Sequence, residues 1–169
     1  MTRRSRFQFT VCWLLVLAIC LTIASAQEKR AGDFSRQDPD LVKESTFSGV
    51  IFPASMKAFR YQFPKDVRYW TPAHSDVLTA EHELFPFLQN SRDPKTPRII
   101  KAFASYKRQY AGVILDGQKY LYLNLFCETY DHDWTHTEMI VLDGDTCYFN
   151  VRFNLKTKVF SDLQINGRA

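Results

Sequence analysis

The chain has 169 residues, with 22 basic and 18 acidic side chains and a formal net charge of +4. Three of the basic residues, Arg3, Arg4 and Arg6, lie in an N-terminal segment that resembles a cleavable leader, and without it the chain is close to neutral. A near-neutral domain of this length has one core and no strong field that attracts nucleic acid, so composition argues against a nucleic-acid-binding protein.

Residues 1–26 have the three parts of a secretory signal peptide. The arginines precede an apolar run, residues 7–23, and small residues follow at Ala24 and Ala26. This order predicts cleavage after Ala26 and an exported protein, secreted or periplasmic, with no remaining membrane span. An uncleaved anchor is the alternative, since about 17 residues can cross a bilayer. A lipoprotein is disfavoured because Ile19 is too large for the position before a modified cysteine.

The segment after the signal peptide is polar, and the aromatic content rises beyond it. Residues 27–45 are predicted to be a flexible lead-in, and residues 46–169 a single domain. Within that domain, residues 50–52 predict a short strand. Residues 58–63 alternate aromatic and polar side chains with a period of two, which predicts a half-buried strand.

One main helix is expected after this aromatic segment. Thr71 can cap it, and Pro72 fits the first turn, where its missing N–H costs nothing. The following apolar residues fall on one side at helical spacing: Val77, Leu78, Leu84, Phe85 and Leu88. Pro86 predicts a kink or a break near Phe85. Residues 98–106 also fit a helix but are too few to decide.

The clearest local signal is a β-hairpin. Asp116-Gly117 separates two alternating segments, residues 108–115 and 118–128, and Asp-Gly is typical of a type I′ turn. A two-residue turn opposes Tyr110 to Leu123 and puts Tyr110 on the face of a leucine row: Leu121, Leu123 and Leu125. The other face is also apolar: Val113, Leu115, Tyr120, Tyr122 and Phe126. A hairpin with two apolar faces is expected at the centre of its sheet.

The C-terminal third predicts further strands at residues 139–142, 147–153 and 159–165, after a polar loop at residues 129–137. The whole is an α+β fold, with one main helix packed on a four- to five-stranded antiparallel sheet.

The mature chain has two cysteines, Cys127 and Cys147. Because one ends a predicted strand and the other begins one, they can meet if those strands are neighbours. In an oxidising compartment they most simply form one disulfide, the alternative being two buried reduced thiols.

The order of one helix followed by an antiparallel meander resembles the cystatin-like and NTF2-like arrangements. The segments RQYAGVILDGQKYLYLNLFCE and DGDTCYFNVRFNLKTKVFSDLQINGRA also resemble exported bacterial proteins that end in a similar hairpin. The resemblance covers about residues 69–169 and implies the fold without an activity. The cystatin inhibitory motif, Gln-x-Val-x-Gly, is absent from the mature chain, so protease inhibition is not implied.

The densest polar cluster is a candidate metal site in the 129–137 loop. Its candidate ligands are Asp131, His132, Asp133 and His136. Imidazole and carboxylate groups can hold zinc, but histidines four residues apart converge only on a helix, and this segment is a poor helix former. A solvated connection between strands is therefore the preferred interpretation.

Other candidate chemistry has simple structural explanations. His74, Ser75 and Asp76 are the ingredients of a catalytic triad, but adjacency in sequence is the wrong geometry, and their position suits the first turn of a helix. Glu81 and Glu83 are a carboxylate pair that points in different directions on a helix, which predicts a solvated face. The sequence therefore indicates no catalytic residue and no cofactor.

The aromatic row of the hairpin is the candidate ligand face: Tyr120, Tyr122 and Phe126. On an open sheet face these rings would bind a sugar, a lipid or an apolar protein surface. The alternative is a second core layer, covered by residues 47–63.

The leading functional hypothesis is a non-enzymatic exported binding domain whose partner, a protein or a small ligand, contacts a sheet face or the 129–137 loop. The first alternative is an NTF2-like pocket protein or enzyme with a small-molecule cavity. The second is an envelope-associated structural component tethered by residues 27–45.

Overall fold

The computed structural model describes residues 38–167, so the predicted signal peptide lies outside the described residues. These residues form one mixed β-sheet and one main helix. The strands are β1 (Asp40–Lys43), β2 (Ser48–Ile51), β3 (Arg68–Trp70), β4 (Lys107–Leu115), β5 (Gln118–Phe126), β6 (Tyr148–Asn154) and β7 (Val159–Ile165). The helices are α1 (His74–Gln89) and the short α2 (Thr96–Lys101).

The sheet is larger than expected and is not wholly antiparallel. The strand order is β1-β2-β4-β5-β6-β7. Strands β2 and β3 share one edge of β4: β2 pairs with its N-terminal half and β3 with its C-terminal half. Strand β2 runs parallel to β4, and the other pairs are antiparallel. The α+β class is confirmed, whereas the prediction of four to five antiparallel strands is corrected to seven strands in a mixed sheet.

The boundary of the predicted lead-in also changes. Residues 40–43 form β1, which pairs with β2, and Val42 is buried against the core. One buried apolar side chain is enough for a strand at a sheet edge, where a single face is covered. Residues 27–37 of the lead-in lie outside the described residues.

The central hairpin is confirmed in detail. Tyr110 lies opposite Leu123, and Asp116 and Gly117 both have positive φ angles, 48° and 75°, as a type I′ turn requires. Strands β4 and β5 occupy the middle of the sheet, as the two apolar faces predict.

Helix α1 packs on the face of the sheet that carries the leucine row. Its buried stripe, Val77, Ala80, Leu84 and Leu88, shares one core with Leu121, Leu123 and Leu125. Two details differ from the expectation. The helix runs unbroken through Pro86, and Asn90 N–H bonds to the Pro86 carbonyl to close its last turn. A proline near the end of a helix removes only one hydrogen bond, so packing of the stripe keeps the helix continuous.

The start of α1 is also later than predicted. The helix begins at His74, and the carboxylate of Asp76 accepts a hydrogen bond of 2.9 Å from the Ala73 N–H. Thr71 does not cap the helix, because its hydroxyl oxygen accepts a 3.0 Å bond from the Ala54 N–H instead.

The opposite face of the sheet has its own core, covered by residues 52–63. Phe59 is buried and lies 4.9 Å from the Tyr122 ring, centroid to centroid. The predicted strand at residues 58–63 is wrong: Phe59 has φ 58°, and a 3₁₀ turn follows at Arg60–Gln62. Its alternating rings serve packing on this second face rather than strand pairing.

Residues 139–142 have no regular secondary structure and do not join the sheet, so this strand prediction is wrong. Their backbone is held by amide side chains: Met139 N–H donates to Gln109 Oε1 at 2.9 Å, and the Met139 carbonyl accepts from Asn124 Nδ2 at 2.9 Å. Because side chains of β4 and β5 form hydrogen bonds with the backbone of Met139, the segment crosses the outer face without pairing with a strand.

Cys127 and Cys147 are joined by a disulfide, with Cα atoms 5.1 Å apart. The bond connects the end of β5 to the start of β6, which are neighbours in the sheet. Within residues 38–167, no helix combines the length and the apolar character needed to cross a membrane.

Candidate functional site

A cleft of about 640 Å³ opens at one end of the helix–sheet core. Its walls come from the turn between β1 and β2, one side of α1 and the segment after α2. The apolar lining is Phe47, Leu78, Phe85, Ile100, Phe103 and Ala104. The buried stripe of α1, which packs in the main core, is not part of the cleft lining, so the cleft lies at the margin of that core.

The floor of the cleft is a buried ion pair between helix and sheet. Arg108 Nε lies 2.9 Å from Glu81 Oε2, and the two side chains are only 1% and 6% exposed. The Tyr110 hydroxyl donates a hydrogen bond of 2.8 Å to Glu81 Oε1. The expectation that Glu81 is solvated is therefore corrected, because Glu81 lies on the face of α1 that packs on β4.

The guanidinium of Arg108 is also held by its other neighbours. Its Nη1 donates to the Tyr106 carbonyl at 2.6 Å. Its central carbon lies 5.0 Å from the Phe47 ring centroid and 4.9 Å from that of Phe103, which is cation–π distance on both. These contacts fix the cation in one position and make the cleft floor rigid.

Burial dominates the protonation of this cluster. It raises the pKa of Glu81 above its ordinary value, although the positive charge of Arg108 and the hydrogen bonds from Tyr110 and Arg108 oppose the rise. Burial, followed by the negative charge of Glu81, raises the pKa of Tyr110 well above its ordinary value. Tyr110 therefore keeps its proton and remains a hydrogen-bond donor to Glu81.

The raised pKa of Glu81 predicts a specific pH dependence of stability. The folded protein binds the Glu81 proton more tightly than the unfolded chain, whose carboxyl has the ordinary value of 4.5. The contribution of Glu81 to the free energy of unfolding is therefore full below that pH and falls as the pH rises above it. We expect the native protein to lose stability relative to Glu81→Gln as the pH rises.

The measurement is urea unfolding of both proteins at several pH values from 4 to 7. The glutamine variant is the control for all other titrating groups, since they are common to both proteins. A difference that moves in favour of the native protein as the pH rises would contradict the assigned direction.

The cluster is suited to binding more than to proton transfer. Both oxygens of Glu81 accept hydrogen bonds from Arg108 or Tyr110, so the carboxylate is already engaged. Because the two opposite charges offset each other, the floor offers polarity without net charge. The walls above it are mainly aromatic and aliphatic, a composition typical of small-molecule sites.

The candidate metal ligands of the 129–137 loop are only partly brought together. His136 Nδ1 lies 3.0 Å from Asp133 Oδ2, and both side chains are mostly exposed. Hydrogen bonds from Thr135, together with the nearby His136, hold the pKa of Asp133 below its ordinary range. His132 and Asp131 do not join them: within the described part of the chain, the sole convergent set of three such residues is Cys127, Glu128 and Cys147. Two of that set are already joined to each other.

The other candidate catalytic residues lie along α1 and do not converge. Asp76 caps the helix, the Ser75 carbonyl accepts from Thr79, and His74 Nε2 lies 3.5 Å from Glu44 Oε1. Glu83 contacts only its exposed neighbour His82, at 2.9 Å. These residues do not form a triad or a carboxylate pair.

Two of the three rings of the aromatic row are enclosed. Tyr122 packs between Phe59 and Phe63 in the second core, and Phe126 lies beneath Trp134, with ring centroids 5.9 Å apart. Tyr120 is partly exposed. Tyr122 and Phe126 thus belong to a covered layer, the alternative that the sequence left open.

Comparison of the chain with protein-family models, with curated proteins and with solved structures finds no match. The resemblance to cystatin-like and NTF2-like arrangements therefore stays an expectation, and the cleft is the feature that bears on function.

Proposed function

We propose that this protein is an exported binding domain whose cleft receives an uncharged ligand, or an uncharged side chain of a partner, with an apolar body and one polar group. The observation that carries the proposal is the buried Glu81–Arg108 pair at the floor of an aromatic-lined opening. Export is supported by the Cys127–Cys147 bond, because disulfides persist mainly in oxidising compartments.

The chemistry of the ligand follows from the lining. The floor offers a charged ligand no unpaired counter-charge, and the other charged lining residues, Glu44 and Lys101, are exposed to water, so burial of a charge in the cleft is unfavourable. An apolar body gains free energy by covering the exposed part of Leu78 and the edges of Phe85 and Phe103, whose centroids lie 5.3 Å apart. A single polar group can then meet the hydrogen-bonding groups of the floor.

Binding is favoured over catalysis by the same cluster. A general base takes up a proton and so loses its negative charge. Protonation of Glu81 would leave the guanidinium of Arg108 buried without a counter-charge, whereas accepting a hydrogen bond from a neutral ligand keeps the ion pair intact.

A neutral solvatochromic dye, Nile red, tests the proposal. We expect saturable fluorescence enhancement with the native protein and at least fivefold weaker binding for Leu78→Glu, because a carboxylate in the apolar wall opposes burial of the dye. Leu78 is 40% exposed, so the substitution does not disturb the core.

The matched control is Leu142→Glu. Leu142 is 88% exposed and lies outside the cleft lining, so the same chemical change there should leave the dye affinity unaltered. Equal loss in both variants, or no loss in Leu78→Glu, would show that the dye binds elsewhere and would contradict the proposed site.

A further inference from the structure

A second cavity, of about 510 Å³, lies on the other face of the sheet and has a different character. Three cations line it, Lys57, Arg60 and Lys65, together with the rings of Tyr61 and Tyr69. Tyr69 pairs with Val113 in the sheet and so shares the face of the second core, away from α1. This cavity is therefore separate from the cleft over Glu81.

The cations of this cavity are not neutralised by ion pairs. Among residues 38–167, none of the three has a carboxylate oxygen within 4.0 Å of its charged nitrogen. Two carboxylates lie in or near this region: Glu138, which interacts with Arg60 and accepts a hydrogen bond from the Phe59 backbone, and Asp66, which follows Lys65 in the chain. Three lining cations against these two carboxylates leave a positive balance, which attracts anions.

A tyrosine at the base of the cavity adds an unused donor. The hydroxyl of Tyr69 is enclosed and has no hydrogen-bond partner in the described structure. Burial and the charge of Glu138 raise the pKa of Tyr69, so the phenol keeps its proton. Buried hydroxyls are normally paired, so an unpaired one in a cavity wall indicates a missing acceptor. The long exposed side chains above it can move to admit one.

From these observations we propose that the cavity binds a phosphate or sulfate monoester of a ring compound. The guanidinium of Arg60 matches two oxygens of a tetrahedral oxyanion, and the ammonium groups of Lys57 and Lys65 supply further charge. The ring of the ester packs on Tyr61, which is half exposed at the rim. The acceptor for the Tyr69 hydroxyl is an oxygen of the same anion.

The test is isothermal titration calorimetry of the purified protein with phenyl phosphate and, separately, phenyl sulfate. We expect saturable binding of at least one ester, and binding at least tenfold weaker for inorganic phosphate and for phenol, because each lacks half of the recognised chemistry. Affinity should fall as the salt concentration rises. No binding of either ester, or equal binding of inorganic phosphate, would overturn the proposal.

The variant Arg60→Gln should weaken binding at least tenfold. The matched control is Arg68→Gln, which removes the same charge from the same segment. Arg68 precedes Tyr69 in β3 and points to the other side of the sheet, outside the cavity lining. Equal weakening by both variants would indicate general attraction to a basic segment and would overturn the assigned site.

Tyr69→Phe separates a ligand role from a structural one. Because the hydroxyl has no partner among residues 38–167, its removal should leave the midpoint of thermal unfolding unchanged or higher, while ester binding weakens several-fold. Unaltered ester affinity would remove Tyr69 from the site. Neither Arg60→Gln nor Tyr69→Phe should change Nile red binding in the cleft, so failure of one proposal is distinguishable from failure of the other.

Discussion

Replacing Arg108 with methionine is expected to lower the free energy of unfolding by about 3–5 kcal/mol at neutral pH, as is typical when one partner of a buried ion pair is removed. The substitution leaves the Glu81 carboxylate almost fully buried without its cation. It also removes the charge that lies between Phe47 and Phe103. Urea denaturation followed by circular dichroism measures the loss.

Two comparisons separate the buried charge from lost packing. The double variant Glu81→Gln with Arg108→Met removes both charges and keeps an acceptor for the Tyr110 hydroxyl, so it should recover most of the loss. Arg152→Met breaks a pair with Asp162 whose side chains are 30% and 46% exposed, and should cost no more than about 1 kcal/mol. A double variant no more stable than Arg108→Met would contradict the account of the floor.

Removal of the disulfide has the second largest expected effect. Cys127 and Cys147 are 20 residues apart in sequence, and a crosslink of that span stabilises by about 3 kcal/mol through restriction of the unfolded chain. We expect the double variant Cys127→Ala with Cys147→Ala to unfold at a correspondingly lower urea concentration. The pairing register of β5 and β6 should persist, because the ladder continues from Phe126 to Tyr120.

Reduction supplies the control for this experiment. Dithiothreitol should bring the native protein to about the stability of the double variant and should leave the double variant unchanged. A free-thiol assay on the unfolded, unreduced mature protein should read near zero. Two free thiols per chain would show that the bond does not form.

Much of the fold could be predicted because local patterns agree with the tertiary structure. Asp116-Gly117 determines the hairpin register, and the alternation on β5 separates the two faces that α1 and residues 52–63 cover. Strand β1 is not evident from the sequence, because it is short and the charged residues on either side of Leu41 and Val42 resemble those of a linker.

The cleft floor is not evident from the sequence, because a charged side chain on a helix normally indicates a solvent-exposed face. The spacing contained a better signal: Glu81 continues the stripe of Val77, Leu84 and Leu88 on α1. Arg108 lies two residues before Tyr110 in β4 and therefore shares its face. A glutamate and an arginine that both occupy positions expected to be buried predict an ion pair. The way α1 packs on the sheet then brings their side chains within 2.9 Å.

Backbone hydrogen bonding explains why the predicted strand at residues 139–142 is absent. The apolar run at residues 139–142 resembles a strand, yet the segment bonds to the side-chain amides of Gln109 and Asn124. A sequence pattern does not show whether a neighbouring strand or a side chain will satisfy a backbone group.

The most direct test of the proposed binding function is a nuclear magnetic resonance titration of the ¹⁵N-labelled mature protein with indole, an uncharged ring carrying one polar group. We predict that the amide shifts concentrate in the cleft walls, at residues 44–47, 78–85 and 100–104, and that they saturate together. The absence of saturable shifts there, or shifts confined to other parts of the chain, would contradict the proposal that this cleft binds a ligand.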